Sequence, residues 1–249
     1  VDKLASEGIR FTNAHTVAAT STPSRYSLLT GEYAWRRPDT DIAAGDVKMI
    51  IRPEQYTMAD MFKSAGYATA AIGKWHLGLG DKTGGQDWNA PLPAALGDLG
   101  FDYHYIMAAT ADRVPCVFIE NGKVANYDPS DPIEVSYTKN FPGEPTGKDN
   151  PELLYNLHPS NGHDMSIVNG ISRIGFMKGG GKALWKDENI ADSITPFMPS
   201  TLSNSIKTSL SLCILQPMMY TFLVFPMTAS VERILWDYAE TQSPNSTGR

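Results

Sequence analysis

The stretch that decides the fold is GYATAAIGKWHLG, residues 66–78. It begins with a glycine that can end a helix and continues with small and apolar residues. The run from Tyr67 to Ile72 predicts a short strand that is buried on both faces and ends at Gly73. The preceding segment, Met58 to Ala65, predicts a helix with one apolar side and Thr57 as its N-cap. A helix followed directly by a buried strand is typical of an α/β protein.

Strand-like and helix-like stretches alternate from Ile9 to about Gly100, and the residues Ile9 to Phe11 predict a first strand. Residues 81–162 are dense in Gly, Pro, Asn and Asp, which predicts a long, loop-rich insertion. Within it, Val117 to Ile119 and Lys123 to Ala125 predict a hairpin around Asn121-Gly122. Loops of this size commonly carry substrate contacts.

Composition excludes two classes of partner. The chain has 249 residues with a net charge of -6, and a pI near 5.3, so no basic surface for nucleic acid is expected. The most apolar window, residues 209–228, contains Pro217 and Pro226 and reaches membrane-spanning length only by including polar residues. We therefore expect no nucleic-acid partner and no membrane span.

Two charged or titratable side chains follow the strand of residues 67–72. Lys74 and His76 are separated by one residue and so project to the same side as the strand ends. Open α/β sheets place their sites at the carboxyl ends of strands. A cation and an acid/base group are therefore expected to converge there.

A second motif is STPSR, residues 21–25, which is followed by YSLLTG. Pro23 can start a helix that Gly31 then ends, so Ser21 is expected at the helix N-terminus. Free backbone N–H groups and the helix dipole favour an anion at that position, and Arg25 lies one turn further on the same side. Taken alone, the motif is better explained by a simple N-cap serine beside a surface arginine.

The two motifs together, S-x-P-S-R with LLTG and then GYxTAxxGKWHxG, resemble the two signatures of the sulfatase family in the alkaline phosphatase superfamily. The resemblance runs from Val1 to about Ser193 and includes NGISRIG, residues 169–175, which is similar to one subgroup of bacterial polysaccharide sulfatases. It implies an α/β, alkaline-phosphatase-like sandwich with a mixed, mainly parallel sheet flanked by helices. Residues 1–194 would form a partial catalytic domain with 81–162 as its insertion.

The resemblance also implies a chemistry. Ser21 would be oxidised to formylglycine (3-oxoalanine) by a serine-type maturation enzyme, and the hydrated aldehyde would attack sulfur. Arg25 would hold the diol, Lys74 would neutralise the sulfate oxygens, and His76 would act as the base. The expected substrate is a sulfated glycan or an aryl sulfate, and the expected location is the periplasm or the medium.

This sequence departs from the family pattern in its metal ligands. Family members bind Ca²⁺ through an Asp-Asp pair on a strand that would precede Val1, together with later ligands and a second histidine that are not recognisable here. Ser21, as formylglycine, would be the only metal ligand present, whereas Ca²⁺ prefers roughly 6–8 oxygen ligands. A truncated, inactive sulfatase-like protein is therefore one alternative. A phosphoric ester hydrolase of the same superfamily is another, which the proline and arginine of the STPSR motif disfavour.

Three further residues lie in the predicted loops. His163 could contact substrate, but a lone histidine in a loop is more often a solvated turn residue. Asp112 and Arg113 could recognise a sugar or simply pair with each other on the surface. The sequence leaves both alternatives open.

Residues 195–249 are expected to be an out-of-frame tail without a defined domain. The peptide ETQSPNSTG, residues 240–248, can be encoded by bases that read GDAIAQFDW in another frame, a segment similar to one that sulfatases carry. Residues 210–224 are compatible in that frame with PFFMYFATNDVHVPR, which contains a histidine. The apolar window would then be neither membrane helix nor core, and resequencing should show a lost nucleotide near residues 195–197. A genuine divergent tail is the alternative.

Overall fold

The computed structural model describes residues 2–195, 211–216 and 222–224. The rest of the tail, with most of the frame prediction, lies outside the described residues. The helices are α1 (Asp2–Glu7), α2 (Ser21–Thr30), α3 (Met58–Ser64) and α4 (Ile190–Ile194). The strands are β1 (Ala68–Lys74), β2 (Tyr103–Met107), β3 (Phe118–Glu120), β4 (Lys123–Val124), β5 (Glu134–Ser136), β6 (Ile167–Val168), β7 (Ile171–Ser172), β8 (Phe176–Lys178), β9 (Ser211–Gln216) and β10 (Phe222–Val224).

The described strands form one main sheet in the order β10-β9-β1-β2-β3-β4 and two small ribbons, β5-β8 and β6-β7. β1 is parallel to both β2 and β9, whereas the outer pairs of the main sheet are antiparallel. The expected mixed sheet is therefore confirmed, with its parallel pairing confined to the three central strands. The helices α2 and α3 pack beside this centre, and Tyr26 and Phe62 are buried there.

Local sequence explains the elements next to the site. The Thr57 hydroxyl accepts from the Asp60 N–H, and the Asp60 carboxylate accepts from the Thr57 N–H, so a capping box begins α3. Gly31 adopts a left-handed φ of 70° and ends α2 by donating to the Ser27 carbonyl. The helices and β1 predicted from the sequence are thus confirmed within one or two residues.

The parallel register of β1 and β2 decides where the site lies. Lys74 pairs with Met107 at the end of both strands. Beyond that pair, the Trp75 N–H donates to the Met107 carbonyl and the His76 N–H to the Ala108 carbonyl, both at 3.0 Å. The segments that leave β1 and β2 therefore start at the same edge of the sheet.

Two expectations from the sequence differ from the structure. Residues 9–11 form no strand, and Ile9 and Phe11 are 84% and 76% exposed, because no strand in the described part of the chain pairs with them. Residues 81–162 do contain the predicted hairpin, as β3 and β4, but they also contain β2. The expected loop-rich insertion therefore contributes a strand to the centre of the sheet.

The backbone of Ser211–Gln216 pairs with β1 along its length, and Phe222–Val224 pairs with Ser211–Gln216. These two described runs of the apolar window join the main sheet, and the expected absence of a defined domain in residues 195–249 stays a prediction. The origin of the reading frame stays a prediction. Among the described residues, no helix has the length and apolarity needed to cross a membrane.

Candidate active site

Ser21 is the first residue of α2 and lies one helical turn before Arg25. The Arg25 Nε–H donates to the Ser21 hydroxyl oxygen at 2.8 Å. Arg25 also donates from Nη1 to the Lys74 carbonyl at 3.1 Å, which ties α2 to the end of β1. The predicted placement of Arg25 on the same side of α2 as Ser21 is therefore present, and the backbone at the carboxyl end of β1 lies next to Arg25.

His76 approaches Ser21 from the opposite side. Its Nδ1 lies 2.9 Å from the Ser21 hydroxyl oxygen, and its Nε2 lies 2.8 Å from the Ala43 carbonyl oxygen. A carbonyl oxygen only accepts hydrogen bonds, so Nε2 must carry the proton. Nδ1 is then unprotonated and accepts from the Ser21 hydroxyl. The contact to Ala43 thereby fixes the tautomer in which the imidazole can act as a base toward position 21.

The backbone at His76 is unusual. Its φ of 60° lies in the left-handed region, which costs a residue other than glycine about 1 kcal/mol or more. Strain of this size persists only where surrounding contacts hold it. Here the Thr22 hydroxyl donates to the His76 carbonyl at 3.0 Å and accepts from the Ala43 N–H at 3.1 Å. Thr22 therefore joins the two chain segments that position the imidazole.

The site is a cluster of partly desolvated cations. Burial lowers the pKa of Arg25 to about 10. Burial, together with the charge of Arg25, lowers the pKa of Lys74 to about 8. Burial is also the main cause that lowers the pKa of His76 to about 4, and the nearby charges of Lys74, Arg113 and Arg25 add to it. Arg25 and Lys74 therefore stay charged at neutral pH while His76 stays neutral, which is the state that suits an anion and a base.

A second cluster, which we call the Asp112 cluster, consists of Thr110, Asp112, Arg113 and His163. The Asp112 carboxylate accepts from the Thr110 hydroxyl, from Arg113 Nη1 at 3.0 Å, and lies 2.9 Å from His163 Nε2. Burial opposes ionisation of Asp112, but the hydrogen bonds from Thr110 and His163 and the charge of Arg113 outweigh it and lower the pKa.

The Asp112 cluster lies close to the cations around Ser21. The charge of Asp112 raises the pKa of Lys74, and the charge of Arg113 lowers the pKa of both Lys74 and His76. Asp112 and Arg113 do pair with each other, and their charges also act on Lys74. The sequence analysis named Asp112 and Arg113 together and His163 separately, and only the fold brings His163 to the other two.

Thr22 and the Ala43 carbonyl were not predicted from the sequence. Thr22 stands at the variable position of the S-x-P-S-R motif, so the motif gives no reason to select it. The one signal that the sequence offers is a hydroxyl-bearing residue directly after the nucleophile position, and its burial becomes visible only in the structure. Thr22 is fully buried, with an exposed fraction of 0%.

The described residues do not fit a Ca²⁺ site. The side chains within hydrogen-bond distance of the Ser21 hydroxyl are a guanidinium and an imidazole, neither of which supplies an oxygen ligand. No group of three or more His, Cys, Asp or Glu side chains in the described part of the chain is placed to hold a metal ion. Ser21 is therefore the single residue here that the family pattern assigns to the metal.

Comparison with known proteins agrees with this geometry. A family model described as Sulfatase matches residues 1–164. An N-acetylgalactosamine-6-O-sulfatase from Bacteroides thetaiotaomicron is 56% identical over 195 residues, which are 78% of this chain and 38% of that protein. Arylsulfatase G from Rattus norvegicus is 46% identical over 78 residues, which are 31% of this chain and 15% of that protein.

A solved structure is also similar. It comes from work on the metabolism of multiple glycosaminoglycans by Bacteroides thetaiotaomicron, with a TM-score of 0.80 and 52% identity, and the match covers 85% of this chain and 44% of that one. The chain thus spans less than half of the length of these relatives.

Proposed function

This chain belongs to the sulfatase family, and from that premise we propose that the protein hydrolyses sulfate esters of sulfated sugars. The observation that carries the proposal is that the desolvated Arg25 guanidinium and the neutral imidazole of His76 both contact the side chain of Ser21 at a helix N-terminus, with the charge of Lys74 close to both. An anionic group is what such a site binds best.

We propose that Ser21 is the residue converted to formylglycine by a serine-type maturation enzyme. When present, the hydrated aldehyde would supply one hydroxyl that attacks sulfur and displaces the sugar alcohol by breaking its S–O bond, and a second hydroxyl whose deprotonation would let sulfate leave as the aldehyde re-forms. Arg25 orients the oxygen of residue 21 through its Nε–H. Lys74 neutralises charge that develops on the sulfate oxygens, and Nδ1 of His76 takes up the proton of the second hydroxyl.

The substrate class follows from the relatives and from the Asp112 cluster. The relative with 56% identity is an N-acetylgalactosamine-6-O-sulfatase, which supports a 6-sulfated amino sugar within a glycan. Asp112 offers an acceptor for sugar hydroxyls, and Arg113 and His163 offer donors beside Lys74. Substrate contact by His163 is therefore part of the proposal, as is a location in the periplasm or the medium, where glycans are found. An aryl sulfate would test the sulfate site alone.

The experiment is a substrate panel on the full-length protein, produced together with a serine-type maturation enzyme. We expect sulfate release from N-acetylgalactosamine 6-sulfate and, more slowly, from an aryl sulfate, with no phosphate release from the matching aryl phosphate. Ser21→Ala should abolish release, whereas Ser64→Ala, at an exposed serine of α3, serves as the control. Preferential turnover of the phosphate ester would contradict the proposal and favour a phosphoric ester hydrolase.

One observation favours a second candidate function, a sulfatase-like protein without turnover. The described residues supply no carboxylate beside Ser21. If this candidate is correct, the chain of 249 residues should show no turnover and no Ca²⁺ binding at micromolar concentration by calorimetry. Tight binding at a single site would rule this candidate out.

A further inference from the structure

An ion pair between a buried arginine, Arg173, and a partly buried aspartate, Asp187, lies next to the Asp112 cluster, outside the residues used in the proposed mechanism. Arg173 is 1% exposed and donates from Nη1 and Nη2 to the two carboxylate oxygens of Asp187 at 2.9 Å and 2.6 Å. Asp187 also accepts from Asn169 Nδ2 at 2.8 Å. Such a bidentate pair fixes the plane of the guanidinium. Both Asn169 and Arg173 belong to NGISRIG, the motif of residues 169–175 to which the proposed function gives no role.

The same guanidinium holds the backbone of the segment that carries Asp112. Arg173 Nη1 donates to the Ala111 carbonyl at 2.6 Å, and the next peptide groups continue the contact: the Ile174 N–H donates to the Asp112 carbonyl at 2.8 Å and the Val114 N–H to the Ile174 carbonyl at 3.1 Å. Three hydrogen bonds therefore hold the backbone of Ala111 to Val114.

The segment that carries His163 is attached to Arg173 as well. The Met165 N–H donates to the Arg173 carbonyl at 3.1 Å, and the Arg173 N–H donates to the Ser166 carbonyl at 2.8 Å. The side chain of Arg173 thus holds the residue before Asp112, while its backbone holds residues just after His163. The two partners of the Asp112–His163 contact, 51 positions apart in sequence, meet at this one residue.

We propose that Arg173, oriented by Asp187, is a positioning residue that sets the distance between Asp112 and His163 beside Lys74 and thereby determines selectivity for the sugar part of the substrate. This inference rests on the proposed function, since it assumes that the Asp112 cluster contacts the sugar. Removing the Arg173 charge and part of the Asp187 charge from water is costly. An apolar pair would fill the same space, but it could not hold the Ala111 carbonyl.

The test compares two substrates in the full-length enzyme, a sulfated sugar that reaches the Asp112 cluster and a small aryl sulfate that does not. The two test variants are Asp112→Asn and Arg173→Lys, and the control is Lys63→Met. The Arg173→Lys substitution keeps the positive charge but loses the planar guanidinium fork. Lys63 pairs with Asp102 at 2.7 Å beside the amino end of β1, far along the strand from Lys74. We expect Arg173→Lys to raise KM for the sugar and to lower selectivity, the ratio of kcat/KM for sugar over aryl sulfate, about tenfold. Lys63→Met should leave selectivity unchanged.

The outcomes separate the inference from the proposed function. If Asp112→Asn leaves selectivity unchanged, the assignment of the sugar contact is wrong. If Asp112→Asn lowers selectivity but Arg173→Lys does not, the inference about Arg173 is wrong. Equal losses for both substrates in Arg173→Lys would show a purely structural pair and also overturn it.

A second variant covers the case in which Arg173→Lys does not fold. The double substitution Arg173→Met with Asp187→Leu removes both buried charges, and such replacements commonly keep or raise stability. It should fold and still show the loss of selectivity, together with faster hydrogen exchange at the amides of Val114 and Ile174. Wild-type selectivity in this folded variant would contradict the inference.

Discussion

The Nδ1 atom of His76 lies 2.9 Å from the hydroxyl oxygen of Ser21, although the two residues are 55 positions apart in the sequence. Two local features create this contact: Ser21 begins α2, and His76 follows β1 in a left-handed turn. The contact also has a direction, because the Ala43 carbonyl holds the only ring proton on Nε2. A base is thus aimed at the one side chain that the sulfatase signature assigns as nucleophile.

The first prediction concerns conversion of Ser21. When the chain is made together with a serine-type maturation enzyme, we expect the tryptic peptide of residues 11–25 to be lighter by two hydrogen atoms and to react with a hydrazide probe, because the product is an aldehyde. Peptide mass spectrometry measures both. Ser21→Ala should give neither signal, and an active enzyme whose peptide remains unmodified would contradict the mechanism.

The second prediction concerns Thr22. Thr22→Val keeps the side-chain shape but leaves the Ala43 N–H and the His76 carbonyl without their buried partner, which costs about 1–3 kcal/mol. We expect kcat of the full-length enzyme to fall about tenfold, since general-base efficiency depends on position. In the chain itself, ¹⁵N NMR should show that the imidazole of His76 no longer keeps a single tautomer. Thr22→Ser is the matched control, and a wild-type kcat and imidazole spectrum for Thr22→Val would contradict the role.

The third prediction concerns the alkaline limb of the pH–rate profile. Burial and the charge of Arg25 lower the pKa of Lys74 to about 8, against a smaller opposing effect of Asp112 and a further lowering by Arg113. Lys74 is charged below this value, so kcat/KM should be highest below pH 8 and should fall as pH rises through it. Lys74→Arg should move the limb to higher pH, because arginine stays charged.

Lys74→Ala provides the control for this limb. We expect it to lose on the order of 10²-fold in kcat/KM at neutral pH, as for removal of one electrostatic donor, and to lose the limb near pH 8. A limb that is unchanged in Lys74→Ala would show that another group titrates there.

The residues that belong to the two signatures were predictable because each signature is also a local structural rule. A serine before Pro23 predicts a helix start, and Arg25 one turn later must lie on the same side. Lys74 follows a buried strand and so lies at its carboxyl end. None of these three statements requires knowledge of what the helix or strand packs against.

The Asp112 cluster could not be assembled from the sequence, because it depends on contacts between segments that are far apart in the chain. β2 had to be recognised as a central strand within a segment rich in Gly, Pro and Asn, and its register with β1 brings residues 108–113 to the site. The hairpin of β6 and β7 then brings Arg173 beneath Ala111 and His163 beside Asp112. Patterns of local periodicity contain no information about such register.

The last prediction concerns the acid stability of the β3–β4 hairpin. His104 is buried, and its ring Nε2 accepts from the Gly122 N–H at 2.8 Å. The backbone N–H of His104 donates to Asn121 Oδ1 at 3.0 Å. The turn therefore requires a neutral imidazole. Burial lowers the pKa of His104 in the folded protein to about 4, from its ordinary value of 6.5.

Because this folded-state pKa lies below that of the unfolded chain, the unfolded state binds the proton more readily between the two values. The stability that neutral His104 contributes is complete above pH 6.5 and is lost as pH falls toward 4, with a total of about 3 kcal/mol. Below pH 4 both states are protonated at this position and the contribution no longer changes.

Urea unfolding of the chain at pH 7, 5 and 4 measures this pH-dependent contribution to the free energy of unfolding. Between pH 7 and pH 4, the free energy of unfolding of His104→Gln should fall by about 3 kcal/mol less than that of the wild type. The control variant His158→Gln, at an exposed histidine, should lose as much stability as the wild type. His76, whose pKa is also low, is present in all three proteins and cancels from the difference. Equal losses of stability in the wild type and in His104→Gln between pH 7 and pH 4 would show that the neutral imidazole of His104 does not stabilise the turn.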